Sequence, residues 1–130
     1  MPADLHNAPF TPQFLRYAGA GVIGTAAHYL VLVAIVQGLG VGVVMASTAG
    51  AIVGAGVNYG INYRYTFASR QPHRRALFRY ATVAVAGILI NAVVVAALLA
   101  FAGPYYLVPQ LVATGVVMVF GYCLNRLWTF

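Results

Sequence analysis

The side chains of this sequence that could do chemistry are three imidazoles, several amides and seven guanidinium groups, and most lie in or beside long apolar runs. Asn58 and Asn62 stand four residues apart, which places them on one face of a helix. His28 follows Arg16 by twelve residues, so a helix would carry it about 18 Å deeper into a membrane. Asp4 is the only acidic residue, so paired-carboxylate catalysis has no basis. The sequence therefore favours hydrogen bonding and anion binding over enzyme chemistry.

These polar groups allow two interpretations. One is a polar groove between helices, entered from the arginine-rich side. The other is hydrogen bonding that ties helices together, at about 0.6–2 kcal/mol per bond. An ionisable His28 at mid-depth is costly without a role, which favours the groove. The arginines are either snorkelling anchors or bidentate ligands of a lipid phosphate. The candidate binding residues are Arg16, Arg64, Arg79, Arg126, His28, Asn58, Asn62, Asn91 and Asn125, and neither a metal site nor a cofactor is predicted.

The chain repeats itself at a constant offset of 63 residues, without a gap, from the start of each half to its end. Such a match predicts two copies of one unit. We expect a flexible cytoplasmic tail (1–13), a first repeat (14–67), a cytoplasmic linker (68–76) and a second repeat (77–130). The clearest matches are Arg16 with Arg79, Tyr59 with Tyr122, Asn62 with Asn125, Thr66 with Thr129 and Phe67 with Phe130.

The elements that would position these residues are four apolar stretches, at 14–37, 42–64, 77–101 and 106–127. The chain is 62% hydrophobic and 6% charged, whereas soluble domains carry about 25% charged residues. Each stretch reaches the roughly 20 residues that a helix needs to cross a bilayer. The sequence therefore predicts an all-α integral membrane protein, with four transmembrane helices arranged as two helical hairpins.

The arginines also predict the orientation of these helices. If there are four spans, all seven arginines fall on one side of the membrane, and the turns on the other side carry no charge. By the positive-inside rule, both termini and the central linker are cytoplasmic in a multi-pass protein of the cytoplasmic membrane. A repeat of two spans starts and ends on the same side, so the copies are parallel. Arginines at the edges of apolar runs indicate contact with anionic lipid and not with nucleic acid.

Two sequence motifs resemble those of the GtrA-like family of small four-helix membrane proteins. The opening aromatic-x-Arg-aromatic pattern is Phe14-Leu15-Arg16-Tyr17, and the closing Asn-x-x-Trp/Tyr-Thr/Val-Phe pattern occurs at 62–67 and at 125–130. The resemblance covers about residues 14–130. It implies translocation of polyprenyl-phosphate-linked monosaccharides to the outer leaflet, where glycosyltransferases use them for cell-surface polysaccharides. It also leaves open a non-catalytic membrane anchor that recruits a glycosyltransferase.

The physical chemistry fits the first of these roles. A sugar in hydrocarbon would leave its hydroxyls unpaired, at roughly 2–7 kcal/mol each. Amides and the imidazole could replace water as their partners, while arginines at the cytoplasmic mouth hold the phosphate. An inside-negative potential helps one negative charge outward by about 2.3 kcal/mol per 100 mV, so no nucleotide cofactor is needed. We expect a homo-oligomer, most simply a dimer, because so small a chain encloses little volume.

Overall fold

The computed structural model describes residues 9–102 and 107–130, and it consists of four long helices joined by short connections. The helices are α1 (Phe10–Leu39), α2 (Val43–Ile61), α3 (His73–Ala102) and α4 (Leu107–Leu124). Four segments are long and apolar enough to cross a membrane, namely Phe10–Leu39, Val43–Thr66, His73–Phe101 and Val108–Thr129. The predicted all-α membrane fold with four spanning helices is thereby confirmed.

Helices α2 and α4 both end in a single π-helical turn of five residues. The first π turn is Asn62–Thr66 and the second is Asn125–Thr129. Each is closed by a backbone bond over five residues, from Phe67 N to Asn62 O (3.0 Å) and from Phe130 N to Asn125 O (2.9 Å). A π turn is wider than an α turn and frequently occurs at functional sites. Both turns fall on the repeated closing motif.

Helix α1 begins earlier than the sequence indicated. It starts at Phe10, so residues 10–13, which the sequence assigned to a flexible tail, are helical. Pro9 precedes the helix, and Pro12 lies in its first turn. Proline is tolerated there, because the first N–H groups of a helix have no intrahelical partner. Residues 1–8 of the predicted tail lie outside the described residues.

Helix α3 likewise begins inside the predicted linker, at His73. Pro72 precedes it, and proline is tolerated at the start of a helix because the first N–H groups there have no intrahelical partner. The backbone N–H groups of Arg75 and Ala76 both donate to Pro72 O at 3.0 Å. Of the two uncharged turns expected on the side opposite the arginines, the second, at 103–106, lies outside the described residues. Where α1 ends, Gly40 adopts the left-handed conformation (φ 65°), which glycine accepts without strain.

By its internal contacts the chain divides into two compact units, unit 1 ending at Ser69 and unit 2 beginning at Arg70. In unit 1, α1 and α2 run antiparallel and touch through glycine. A Cβ built on Gly24 would lie 2.8 Å from Gly54 O, and one built on Gly50 would lie 2.6 Å from His28 O. On the same helix, Gly56 has no such neighbour within 4 Å. The Gly50-x3-Gly54 face of α2 therefore packs on α1 of the same chain.

In unit 2, α3 contacts α4 through a side chain at the position where α1 and α2 of unit 1 make contact through backbone atoms. A Cβ on Gly87 would lie 3.2 Å from Cγ1 of Val117, the residue that corresponds to Gly54 at the repeat offset. Much of the remaining surface of the described residues is apolar, with Phe101 90% and Val44 81% exposed. Large exposed apolar patches mark a surface that another apolar phase covers, here lipid. The buried positions recur at the offset of 63, as in Ala20 and Val83, Gly24 and Gly87, Ala46 and Pro109, and Tyr59 and Tyr122.

Candidate functional site

The arginine-bearing end of unit 1 contains a buried polar cluster. Nε2 of Gln13 on α1 donates to Thr66 O in the first π turn at 3.4 Å, and Nδ2 of Asn62 donates to Asn58 Oδ1 at 2.6 Å. Gln13, Asn62 and Thr66 are completely buried. Beside them, Tyr17 and Phe67 pack edge to face with ring centroids 6.2 Å apart. The structure thus brings Asn58 and Asn62 together as predicted, and adds Gln13.

Some polar atoms of the π turns are buried without a hydrogen bond. Within the part of the chain that the structure describes, this holds for Asn62 Oδ1 and Thr66 Oγ1 in unit 1 and for Thr129 Oγ1 in unit 2. Leaving a buried polar group unsatisfied costs roughly 1–3 kcal/mol. Asn62 also has a repeat counterpart, Asn125, which is buried as well. The first π turn therefore holds an acceptor and a hydroxyl ready to bond with a polar molecule that reaches them.

A second polar feature lies deeper, and it repeats. In unit 1, Nε2 of His28 lies 3.5 Å from Oγ of Ser47. In unit 2, Nε2 of Gln110 donates to Asn91 Oδ1 at 3.1 Å. Asn91 corresponds to His28, and Gln110 to Ser47, at the offset of 63. Each unit thus joins its two helices by one polar pair at equivalent positions of the repeat, although all four side chains differ in type.

Two arginines of unit 2, Arg79 and Arg126, bond to other residues of that unit. Nη1 of Arg79 donates to Trp128 O at 2.6 Å, and its guanidinium lies over the Trp128 ring, 5.2 Å from the centroid. Nη1 of Arg126 donates to the hydroxyl of Tyr122, which is fully buried, at 2.9 Å. Tyr80 and Phe130 pair at 6.3 Å, as Tyr17 and Phe67 do in unit 1.

The arginines of unit 1 are presented differently. Arg16 is exposed and makes no hydrogen bond or ion pair among residues 9–102 and 107–130. Arg64 is exposed too, with its guanidinium over the Tyr65 ring at 5.6 Å. Two cationic groups are therefore available at this end of unit 1.

Two residues of these clusters were missed by sequence reasoning. Gln13 had been assigned to the tail, although its spacing to Tyr17, Ala20 and Gly24 follows one helical face. Gln110 could have been found as the counterpart of Ser47 in the repeat. That all nine predicted residues serve one ligand stays a prediction. Among the described residues, no three His, Cys, Asp or Glu side chains gather as metal ligands would.

The chain was also compared with known proteins. The family model for the GtrA/DPMS transmembrane domain matches residues 16–130, which is nearly the whole sequence. No curated protein matches the chain. The matched range contains both units from Arg16 onward, both π turns and both polar pairs.

Proposed function

The chain belongs to the GtrA/DPMS transmembrane-domain family, and from this premise we propose that it flips a polyprenyl-phosphate-linked monosaccharide across the cytoplasmic membrane. The family has a membrane function related to such lipids and is generally one of non-catalytic translocases. The product would serve cell-surface polysaccharide modification. Both termini would be cytoplasmic, because the arginines lie at the helix ends nearest to the termini and to the linker, and positively charged residues favour the cytoplasmic side.

The polar pair at mid-depth in each unit is the observation that supports this proposal best. A monosaccharide carries several hydroxyls, and each needs a partner when it leaves water. The His28–Ser47 and Asn91–Gln110 pairs offer donors and acceptors where lipid offers none. Their bonds are weak enough to exchange, since bonds of this kind between membrane helices average about 0.6 kcal/mol. A sugar hydroxyl could replace one partner at little cost.

The arginine-bearing end would receive the phosphate. Guanidinium binds phosphate oxygens through two parallel charge-assisted bonds. The prenyl chain would stay in lipid along the exposed apolar helix faces. Outward movement of the single negative charge is favoured by about 2.3 kcal/mol per 100 mV of inside-negative potential. We therefore propose that the membrane potential assists translocation.

A liposome assay tests the proposal. The purified full-length chain is reconstituted with polyprenyl-phosphate sugars, and the rate at which the sugar becomes accessible on the opposite side is measured. We expect Gln110→Leu to lower this rate about tenfold, because a unit 2 partner for hydroxyls is lost. Thr48→Ala is the matched control, since the Thr48 hydroxyl is exposed and, among the residues that the structure describes, bonds only to Val44 O of its own helix, at 2.9 Å.

Protein-bearing liposomes that flip none of the sugar lipids faster than protein-free liposomes would refute the proposed function. A folded Gln110→Leu variant with the rate of the wild type would remove the polar pair from the mechanism.

A second candidate function is a scaffold that recruits a glycosyltransferase. It is favoured by the exposed basic group formed by Arg70, Arg74 and Arg75 around the start of α3. Replacing all three by Gln would then abolish co-purification with the transferase and leave flipping in liposomes unchanged. If flipping falls instead, the basic group serves lipid binding. A second copy of this chain and anionic lipids are the other proposed partners.

A further inference from the structure

Two arginines that the repeat makes equivalent have different surroundings. Arg16 and Arg79 each lie near the start of the first helix of their unit, 63 residues apart. Arg79 is half-buried, donates to Trp128 O at 2.6 Å and lies over the indole ring. Arg16 is exposed and bonds to no described residue. From the sequence alone, both arginines would be expected to have the same role.

The difference has a cause in the π turns. Tyr65 is the unit 1 counterpart of Trp128, and its ring is already covered by Arg64 at 5.6 Å. The counterpart of Arg64 in unit 2 is Leu127, which carries no charge and is 81% exposed. Arg126 of the same turn bonds instead to the Tyr122 hydroxyl, and Arg79 occupies the ring and the adjacent carbonyl in unit 2. In unit 1, Arg64 occupies the ring, and Arg16 remains available.

The engagement of Arg79 is that of a helix cap. The last carbonyl groups of a helix have no intrahelical partner, and a cation there also favours the helix dipole. The charge-assisted bond to Trp128 O and the cation–π contact both hold the second π turn against α3. Arg79 thus has one N–H donor committed to a backbone carbonyl and the face of its guanidinium against an indole ring of the same unit.

We infer that phosphate capture is assigned to unit 1, with Arg16 binding the phosphate anion of a lipid, whereas Arg79 is a positioning residue that fastens the second π turn. This deepens the proposed function and rests on it for the identity of the lipid. Arg64 acts indirectly, because it keeps the Tyr65 ring from engaging Arg16. The phosphate belongs either to the polyprenyl substrate or to an ordinary anionic lipid.

The test uses the full-length chain in detergent with three probes: a polyprenyl phosphate, phosphatidylglycerol and inorganic phosphate. The uncharged polyprenol is the control ligand. Trp128 is the only tryptophan, so its emission reports directly on the contact with Arg79. The variants are Arg16→Gln, Arg16→Lys, Arg79→Gln and, in case the last does not fold, Arg79→Lys.

We expect Arg16→Gln to weaken phosphate-lipid binding about tenfold or more, and to leave Trp128 emission and the melting temperature unchanged. Arg16→Lys should recover only part of the affinity, because an ammonium group cannot form the bidentate pair. Arg79→Gln should shift Trp128 emission and lower the melting temperature. The affinity for the phosphate lipid should change by no more than about threefold, which is less than the loss of one hydrogen bond to a charged group would cause.

Loss confined to polyprenyl phosphate would identify the substrate lipid, and equal loss for phosphatidylglycerol would identify a general lipid-phosphate site; both support the assignment. Full affinity of Arg16→Gln for all three probes would overturn it by leaving Arg16 as a membrane anchor. Loss of affinity in a folded Arg79 variant whose Trp128 emission is unchanged would also overturn it. Binding without flipping by the wild type would contradict only the proposed function.

Discussion

Replacing Gly54 by alanine tests the packing of α1 on α2 most directly. A Cβ at this position would lie 2.5 Å from Gly24 O and 3.0 Å from the Cβ of His28. An ordinary contact begins at 3.4 Å, so the added methyl is about 0.9 Å too close to a backbone oxygen. A backbone oxygen cannot rotate away as a side chain can. The two helices must therefore separate, and His28 must move with α1.

The size of the effect follows from two opposing terms. Overpacking a close contact costs typically 1–3 kcal/mol, whereas alanine in place of glycine favours the helix by up to about 1 kcal/mol. Gly56→Ala is the matched control, because Gly56 lies on the same helix with nothing within 4 Å of its Cβ position. The propensity term is common to both variants. Their difference in unfolding free energy should therefore be the packing term, about 1–3 kcal/mol.

The free energy of unfolding is measured for both variants in mixed micelles by denaturant titration. Gly54→Ala should be the less stable, and it should also lengthen the contact of His28 with Ser47, which is already 3.5 Å. Equal unfolding free energies for Gly54→Ala and Gly56→Ala would refute the close approach of the two helices.

Three further predictions concern single side chains, each measured by the same titration. Gln110→Leu removes the donor to Asn91 and should cost about 0.6–2 kcal/mol; no loss would mean that the bond does not hold α4 to α3. His28→Leu should cost a similar amount, whereas His28→Gln, whose amide reaches about as far as the imidazole Nε2, should retain the contact with Ser47; equal stability of the two would exclude that contact. Ala68 has φ 45°, which glycine adopts freely, so Ala68→Gly should raise the unfolding free energy by about 1 kcal/mol, and a loss would contradict this conformation.

The membrane fold was predictable because it depends on the length and hydrophobicity of sequence segments, which can be read without knowledge of the tertiary structure. Four apolar stretches of spanning length leave only helices as a solution, and the family match agrees with the resemblance in both closing motifs. The helix starts were less accessible. Thr11 and Gln13 are polar and Pro12 lies between them, so the segment reads as a tail although proline suits a first turn.

The candidate site was only partly predictable, since side-chain partners depend on geometry that the repeat does not show. The spacing of Asn58 and Asn62 was enough to predict their contact, because both lie on one helix. The different surroundings of Arg16 and Arg79 were hidden, because they depend on whether a third residue competes for an aromatic ring. The π turns had no signal in sequence, as the same residues could equally continue an α-helix.

Each π turn has a consequence for the tolerance of the chain to insertion and deletion. One residue of an α-helix corresponds to about 100° of rotation about its axis, and a π turn accommodates one residue more than an α turn does. Shortening the first π turn by a single residue would therefore leave an ordinary α turn, with Phe67 still one turn beyond Asn62 and near Tyr17, whereas an added residue would rotate Phe67 away from Tyr17 by about 100°. At this point of the protein, the chain should tolerate a deletion better than an insertion.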